Sequence, residues 1–97
     1  MPTYFRTNRF IRDYGDLTDG QREHFKVAVS KFVEDLKRDG EVRSSLGIRP
    51  LQRCPGVFEF HFEGDGRATF SYGETRVKGE VHIDWRRIGS HSVYKDP

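Results

Sequence analysis

Val57-Phe58-Glu59-Phe60-His61-Phe62, the turn Glu63-Gly64-Asp65-Gly66, and Arg67-Ala68-Thr69-Phe70-Ser71-Tyr72 together decide the fold. Successive side chains of a strand point to opposite faces, so residues two apart share a face. Phe58, Phe60 and Phe62 therefore face one way, and Glu59 and His61 the other. After the glycine turn, Ala68, Phe70 and Tyr72 oppose Arg67, Thr69 and Ser71. This is a hairpin with one apolar and one polar face. A looser loop from Gly73 to Gly79 leads to Val81, Ile83 and Trp85, alternating with His82, Asp84 and Arg86. The three runs read as an antiparallel meander. Ile88 falls on the polar parity, which places a bulge or the strand end near Arg87.

The apolar face needs a cover, and the sequence before it supplies one. Thr18-Asp19-Gly20-Gln21 spells a capping box, in which Thr18 and Gln21 each satisfy a backbone N–H of the other. Phe25, Ala28, Val29, Phe32, Val33 and Leu36 follow at helical spacing, and Gly40 supplies a stop. The spacing predicts a helix over about 19–39. Phe10, Tyr14 and Leu17 predict a shorter one over about 9–15, with Asn8 as its cap. Tyr4-Phe5 suits a leading strand. Pro50 and Pro55 are expected to keep residues 41–56 irregular. The tail Gly89–Tyr94 reads as a turn with one more short strand. The expected architecture is α+β: an N-terminal helical hairpin packed on one face of a small, twisted, mainly antiparallel sheet, with 1–97 forming a single domain.

Composition excludes several classes. The chain has 97 residues, 17 basic and 15 acidic, for a net charge of +2, so neither an acidic nor a basic tail is present. No apolar run approaches the roughly 20 residues needed to span a bilayer. The N-terminus lacks a signal-peptide pattern. The lone Cys54 cannot form an internal disulfide, which suits a reducing cytoplasm. His82 and Asp84 share a face and could join His61 on a metal, but spacing specifies no further ligand, and neither metal nor cofactor is expected.

The polar sheet face carries Glu59, His61, Arg67, Thr69, Ser71, His82, Asp84 and Arg86, with His91 in a Gly-Ser-His turn beyond it. Carboxylate, imidazole and guanidinium suit phosphoryl transfer by acid–base and electrostatic means. The same alternation also describes an ordinary solvated sheet face. Arg86 and Arg87 should point to opposite faces. Tyr94 reads as a core-edge aromatic or a platform for a base.

Four segments carry a family resemblance that runs nearly the whole chain. Pro55-Gly56-Val57-Phe58-Glu59-Phe60, Gly66-Arg67-Ala68-Thr69-Phe70-Ser71-Tyr72, Trp85-Arg86-Arg87-Ile88-Gly89-Ser90-His91 and Val93-Tyr94 resemble, in order, strand and tail motifs of the RelE/ParE toxin superfamily. The resemblance implies a RelE-like fold and a bacterial toxin held inactive by a cognate antitoxin. In the RelE-like branch it implies cleavage of mRNA on the ribosome, without a metal, by attack of the ribose 2′-hydroxyl. By position, Arg67 would stabilise the transition state, His91 would act as acid or base, and Tyr94 would contact the base or phosphate. Glu59 is a candidate general base by geometry, and His61, His82, Arg86 and Arg87 are candidate RNA contacts. The alternative is a non-enzymatic, ParE-like gyrase inhibitor or a degenerate binding module. The chain departs from the pattern in carrying Glu59 and His61 where RelE-like members place lysines, and Arg49 where some place a carboxylate before a Pro-Leu pair. No helix is expected after Tyr94.

Overall fold

The computed structural model describes residues 2–97. Strand β1 (Thr3–Arg6) leads into helices α1 (Asn8–Gly15) and α2 (Asp19–Arg38). A short 3-10 turn (Ser44–Leu46) and strand β2 (Arg49–Pro50) precede the meander β3 (Phe58–His61), β4 (Arg67–Tyr72) and β5 (His82–Gly89). The sheet order is β1-β5-β4-β3-β2. β1 lies parallel to β5, and the remaining pairs are antiparallel. This is the expected α+β arrangement, widened by an edge strand on each side.

The core is mostly aromatic. Phe10, Phe32, Phe60 and Phe70 are each at most 1% exposed, and Trp85 sits among them. Ring centroids 5.2–6.3 Å from the indole belong to Phe10, Phe25, Phe32, Phe60 and Phe70. Most of these pairs are tilted or edge-to-face, as the ring quadrupole prefers. The capping box of α2 forms as its spelling predicts. The cap of α1 is Thr7 rather than Asn8, and its hydroxyl accepts from the Phe10 N–H. That hydroxyl also donates to the Arg86 carbonyl at 2.9 Å. One side chain thus caps the helix and ties it to β5, which Asn8, already inside the helix, cannot do.

Two further expectations are corrected and one is met. Arg49–Pro50 does pair, with β3. Proline fits there because β2 is an edge strand, whose outward side needs no ladder donor. The bulge expected near Arg87 is present: Phe70 faces Trp85 and Thr69 faces Arg87, so Arg86 is the extra residue. It resets the alternation and brings Ile88 into the core at 2% exposure. The tail is a 3-10 turn (His91–Lys95) capped by Ser90, not a strand. Val93 of that turn is buried. The face of the sheet opposite the helices is consequently roofed in part, and Glu59 and Thr69 on it are buried rather than solvated; His82, at the other end of that face, is buried too.

The loop after α2 is held by one ion pair. Asp35, fully buried, accepts from the Arg43 backbone N–H at 3.0 Å and from the guanidinium at 2.9 and 2.7 Å. These hydrogen bonds, helped by the positive charges of Arg43 and Arg38, hold the Asp35 carboxyl far below the usual carboxylate range despite its burial. The stability it contributes is therefore complete above the unfolded-state value of about 3.9 and drains as pH falls toward the folded value. Asp35→Asn should lower the urea midpoint at pH 7, and the gap to wild type should narrow below about pH 4. An equal gap at pH 3 and pH 7 would show that the charge contributes nothing.

Candidate active site

The register assembles the site from four elements. Arg49 of β2 faces Glu59 of β3, Glu59 faces Thr69 of β4, and Thr69 faces Arg87 of β5. One row further along, His61 of β3 faces Arg67 of β4. Glu59 lies at the centre. Its Oε1 accepts from Arg49 Nε at 2.9 Å and lies 3.1 Å from His61 Nε2. The Glu59 side chain is 10% exposed, whereas the Arg49 side chain is 71% exposed.

Over this row lies the C-terminal 3-10 turn. Its Tyr94 ring meets the His91 imidazole edge-on, with centroids 5.1 Å apart. The Tyr94 hydroxyl is buried and has no hydrogen-bond partner among the described residues. Burial, reinforced by the negative charge of Glu59, raises its pKa, while Arg67 and Arg49 oppose the shift. The phenol therefore stays protonated at neutral pH and is kept as a donor. Arg67 donates through Nη1 to the carbonyls of Gly64 and Gly66 at 3.2 and 2.9 Å, and its Nε is buried without a partner. His91 is exposed. Between the turn and β2 a cleft of about 490 Å³ is lined by Arg49, Arg53, Glu59, His91, Tyr94 and Lys95, among others.

Of the residues singled out from sequence, the structure brings together Glu59, His61, Arg67, His91 and Tyr94. His82 lies away from them, and Arg86 and Arg87 are committed to other partners. His82 is buried at the opposite end of the sheet, with Nδ1 2.7 Å from the Thr3 hydroxyl and Nε2 3.2 Å from Asp84. His61 is far from that pair, and among the described residues no group of three or more His, Cys, Asp or Glu side chains could hold a metal ion. Arg87 is gripped by Asp13 of α1, at 2.6 Å through Nε and 3.2 Å through Nη2, and also reaches the Asp96 carbonyl. The Asp13 bonds, above all, raise its pKa. Arg86 reaches the Pro97 carbonyl at 3.3 Å. Both arginines serve to fasten the tail and α1 to β5.

Three cleft cations, Arg49, Arg53 and Lys95, were not among the residues singled out for the site. Only Arg49 left a trace, as a departure from the resembled pattern before Pro50-Leu51. The others depend on how the loop and the tail fold over β3.

No family model matches the chain. No curated protein matches it by sequence. Solved structures do match it in fold. A chain of the RelB–RelE antitoxin–toxin complex from Methanococcus jannaschii is similar at 15% identity and TM-score 0.61, over 95% of each chain. YafQ from E. coli is similar at 14% identity and TM-score 0.61, over 96% of this chain and 97% of YafQ. A chain of the RelBE2 toxin–antitoxin complex from Mycobacterium tuberculosis is similar at 22% identity and TM-score 0.55, over 94% of this chain and all of that one. At these identities it is the fold that is shared: the architecture is the RelE-like α+β fold, over its full extent.

The His61 ring owes its place to Gly47. This glycine has φ +58°, and a Cβ there would lie 2.6 Å from His61 Nδ1. Gly47→Ala should cost about 1–2 kcal/mol in backbone strain and push the imidazole away from Glu59. Urea unfolding reads the first effect and the His61 ring signals in an NMR spectrum the second. An unmoved His61 resonance would contradict the close approach.

Proposed function

We propose that the chain is the toxin of a toxin–antitoxin pair and cleaves mRNA on the ribosome as an endoribonuclease. The observation that carries this reading is the placement of Tyr94: a protonated phenol over Glu59 and Arg67, with His91 against its ring. Those four groups supply what internal cleavage of RNA requires. The ribose 2′-oxygen attacks the adjacent phosphorus and gives its proton to a base, the role of Glu59. The P–O5′ bond breaks, the leaving oxygen takes a proton from His91, and a 2′,3′-cyclic phosphate and a 5′-hydroxyl remain. Arg67 and the Tyr94 hydroxyl stabilise the charge gathering on the non-bridging oxygens. The shared fold with chains of toxin–antitoxin complexes supports the class, and a cognate antitoxin as partner goes with it.

Controlled expression followed by primer extension on cellular mRNA tests the reading. Arg67→Ala and His91→Ala should each lower cleavage about 10²–10⁴-fold and relieve growth arrest, while His91→Ala, on an exposed position, should melt with the wild type. Cleavage at wild-type levels in both variants would overturn the assignment. Growth arrest with intact mRNA and damaged DNA would instead support a gyrase inhibitor of the ParE kind.

Tyr94→Phe separates function from folding. The hydroxyl is buried and unpaired, so its removal should leave stability unchanged or slightly higher. Cleavage should nevertheless fall. A destabilised variant with undiminished cleavage would show that the hydroxyl serves packing alone.

A further inference from the structure

β2 covers only Phe58 and Glu59 of β3. Past that point the outer side of β3 is open to a groove of about 520 Å³ between α2, the first 3-10 turn and the β3–β4 hairpin. Its walls carry Lys31 from α2, Ser45 from the 3-10 turn, and His61 and Arg67 from the sheet. Lys31 is exposed, and among the described residues neither its ammonium group nor the Ser45 hydroxyl has a partner. Val27, half exposed, and Leu46, buried, give the groove an apolar side. Glu63 is the opposing charge at the rim, and it is already engaged by His24 at 3.1 Å.

Two features connect this groove with the cleft under Tyr94. His61 lines the groove while its Nε2 meets Glu59 in the cleft. Arg67 lines the groove and acts electrostatically on Tyr94. His61 and Arg67 thus stand between the two cavities, so a strand whose scissile phosphate lies at Arg67 has the groove as the next cavity along the sheet edge.

We propose that the groove is a second RNA subsite, which takes the phosphate of a flanking nucleotide on Lys31 and Ser45 and rests its base against Val27 and Leu46. This rests on the nuclease reading for the identity of the ligand. The volume suits one nucleotide, and the unpartnered ammonium is the group that releases a counterion on binding. Lys31 is a binding residue here and has no part in the chemistry.

The test is binding of a short fluorescein-labelled oligoribonucleotide, 2′-O-methylated throughout so that it cannot be cleaved. It is followed by anisotropy across a salt series. Lys31→Ala should weaken binding severalfold and lower the slope of log K against log salt by about 0.7, the value for one single-strand phosphate contact. Lys37→Ala, on the same helix but outside the groove, should change neither. Equal effects from the two variants, an unaffected slope in Lys31→Ala, or no binding by wild type would each overturn the subsite. A titration with inorganic phosphate distinguishes the sources of the anion. If it fills the groove as tightly as the oligonucleotide, the site is for a free anion and the RNA proposal fails. The outcomes are separable from those of the nuclease test. Loss of cleavage in Arg67→Ala with no salt-slope change in Lys31→Ala sinks the subsite alone, whereas the reverse pattern sinks the nuclease and leaves an RNA-binding groove.

Discussion

Trp85 on β5 meets Phe10 of α1, Phe25 and Phe32 of α2, Phe60 of β3 and Phe70 of β4. Among the described aromatic rings no other joins so many elements. A small chain has little apolar surface to bury, so a few large rings must fill most of its interior. Placing them all on one side of one sheet has a consequence for the other side. Alternation sends Glu59, His61, Arg67 and Thr69 there as a block, and the site is in that sense the complement of the core. A change that slipped β3 by one residue would move Phe60 out and Glu59 in, abolishing both together.

The far face could have remained a solvated sheet. It becomes a site because the chain folds back over it. The Arg86 bulge turns the end of β5 and returns Ile88 to the core. β1 has ended by then, and Asp13 takes the free Ile88 N–H at 3.3 Å while gripping Arg87. Arg9 holds Asp96 at 2.7 Å. These contacts set the 3-10 turn down with Val93 buried and Tyr94 over Glu59. On the other flank, Asp35 and Arg43 fix the loop that delivers Gly47 and Arg49. Each wall of the cleft thus hangs on a carboxylate–guanidinium pair that lies outside it.

The meander and the helical hairpin were legible because periodicity is local. Phe58-Glu59-Phe60 alternates whether or not a helix lies beneath it, and the Thr18–Gln21 capping box needs only four residues. β1 was legible as a short strand but not as a parallel neighbour of β5, since Thr3 and His82 are 79 positions apart. β2 was obscured by Pro50, whose harmlessness depends on its lying at an edge. The site followed the same division. Glu59, His61 and Arg67 could be grouped by strand parity, His91 stood out by its turn and Tyr94 as an aromatic near the end of the chain, and the resemblance added roles to the last two. His82 shares their parity yet lies at the other end of the sheet, because parity fixes a face and not a position along it. Arg87 faces the correct way but is already bound by Asp13, and ion pairing between distant segments leaves no trace in spacing.

The charge of +2 is a whole-chain quantity, and the structure distributes it unevenly. Asp13, Asp35, Asp96 and Glu63 are each paired away from the cleft. Within the cleft, Glu59 is the acid set against Arg49, Arg53 and Lys95, with Arg67 and two histidines beside them. Coulomb interactions between exposed charges fade over about 8–10 Å at physiological salt, so a ligand in the cleft senses these groups and little of the rest. A near-neutral protein can therefore present a locally positive site. What it lacks is the long-range field that would draw a polyanion in from a distance. The charges of such a site therefore act on a ligand once it is seated, through contacts within a few ångströms, and not on its approach.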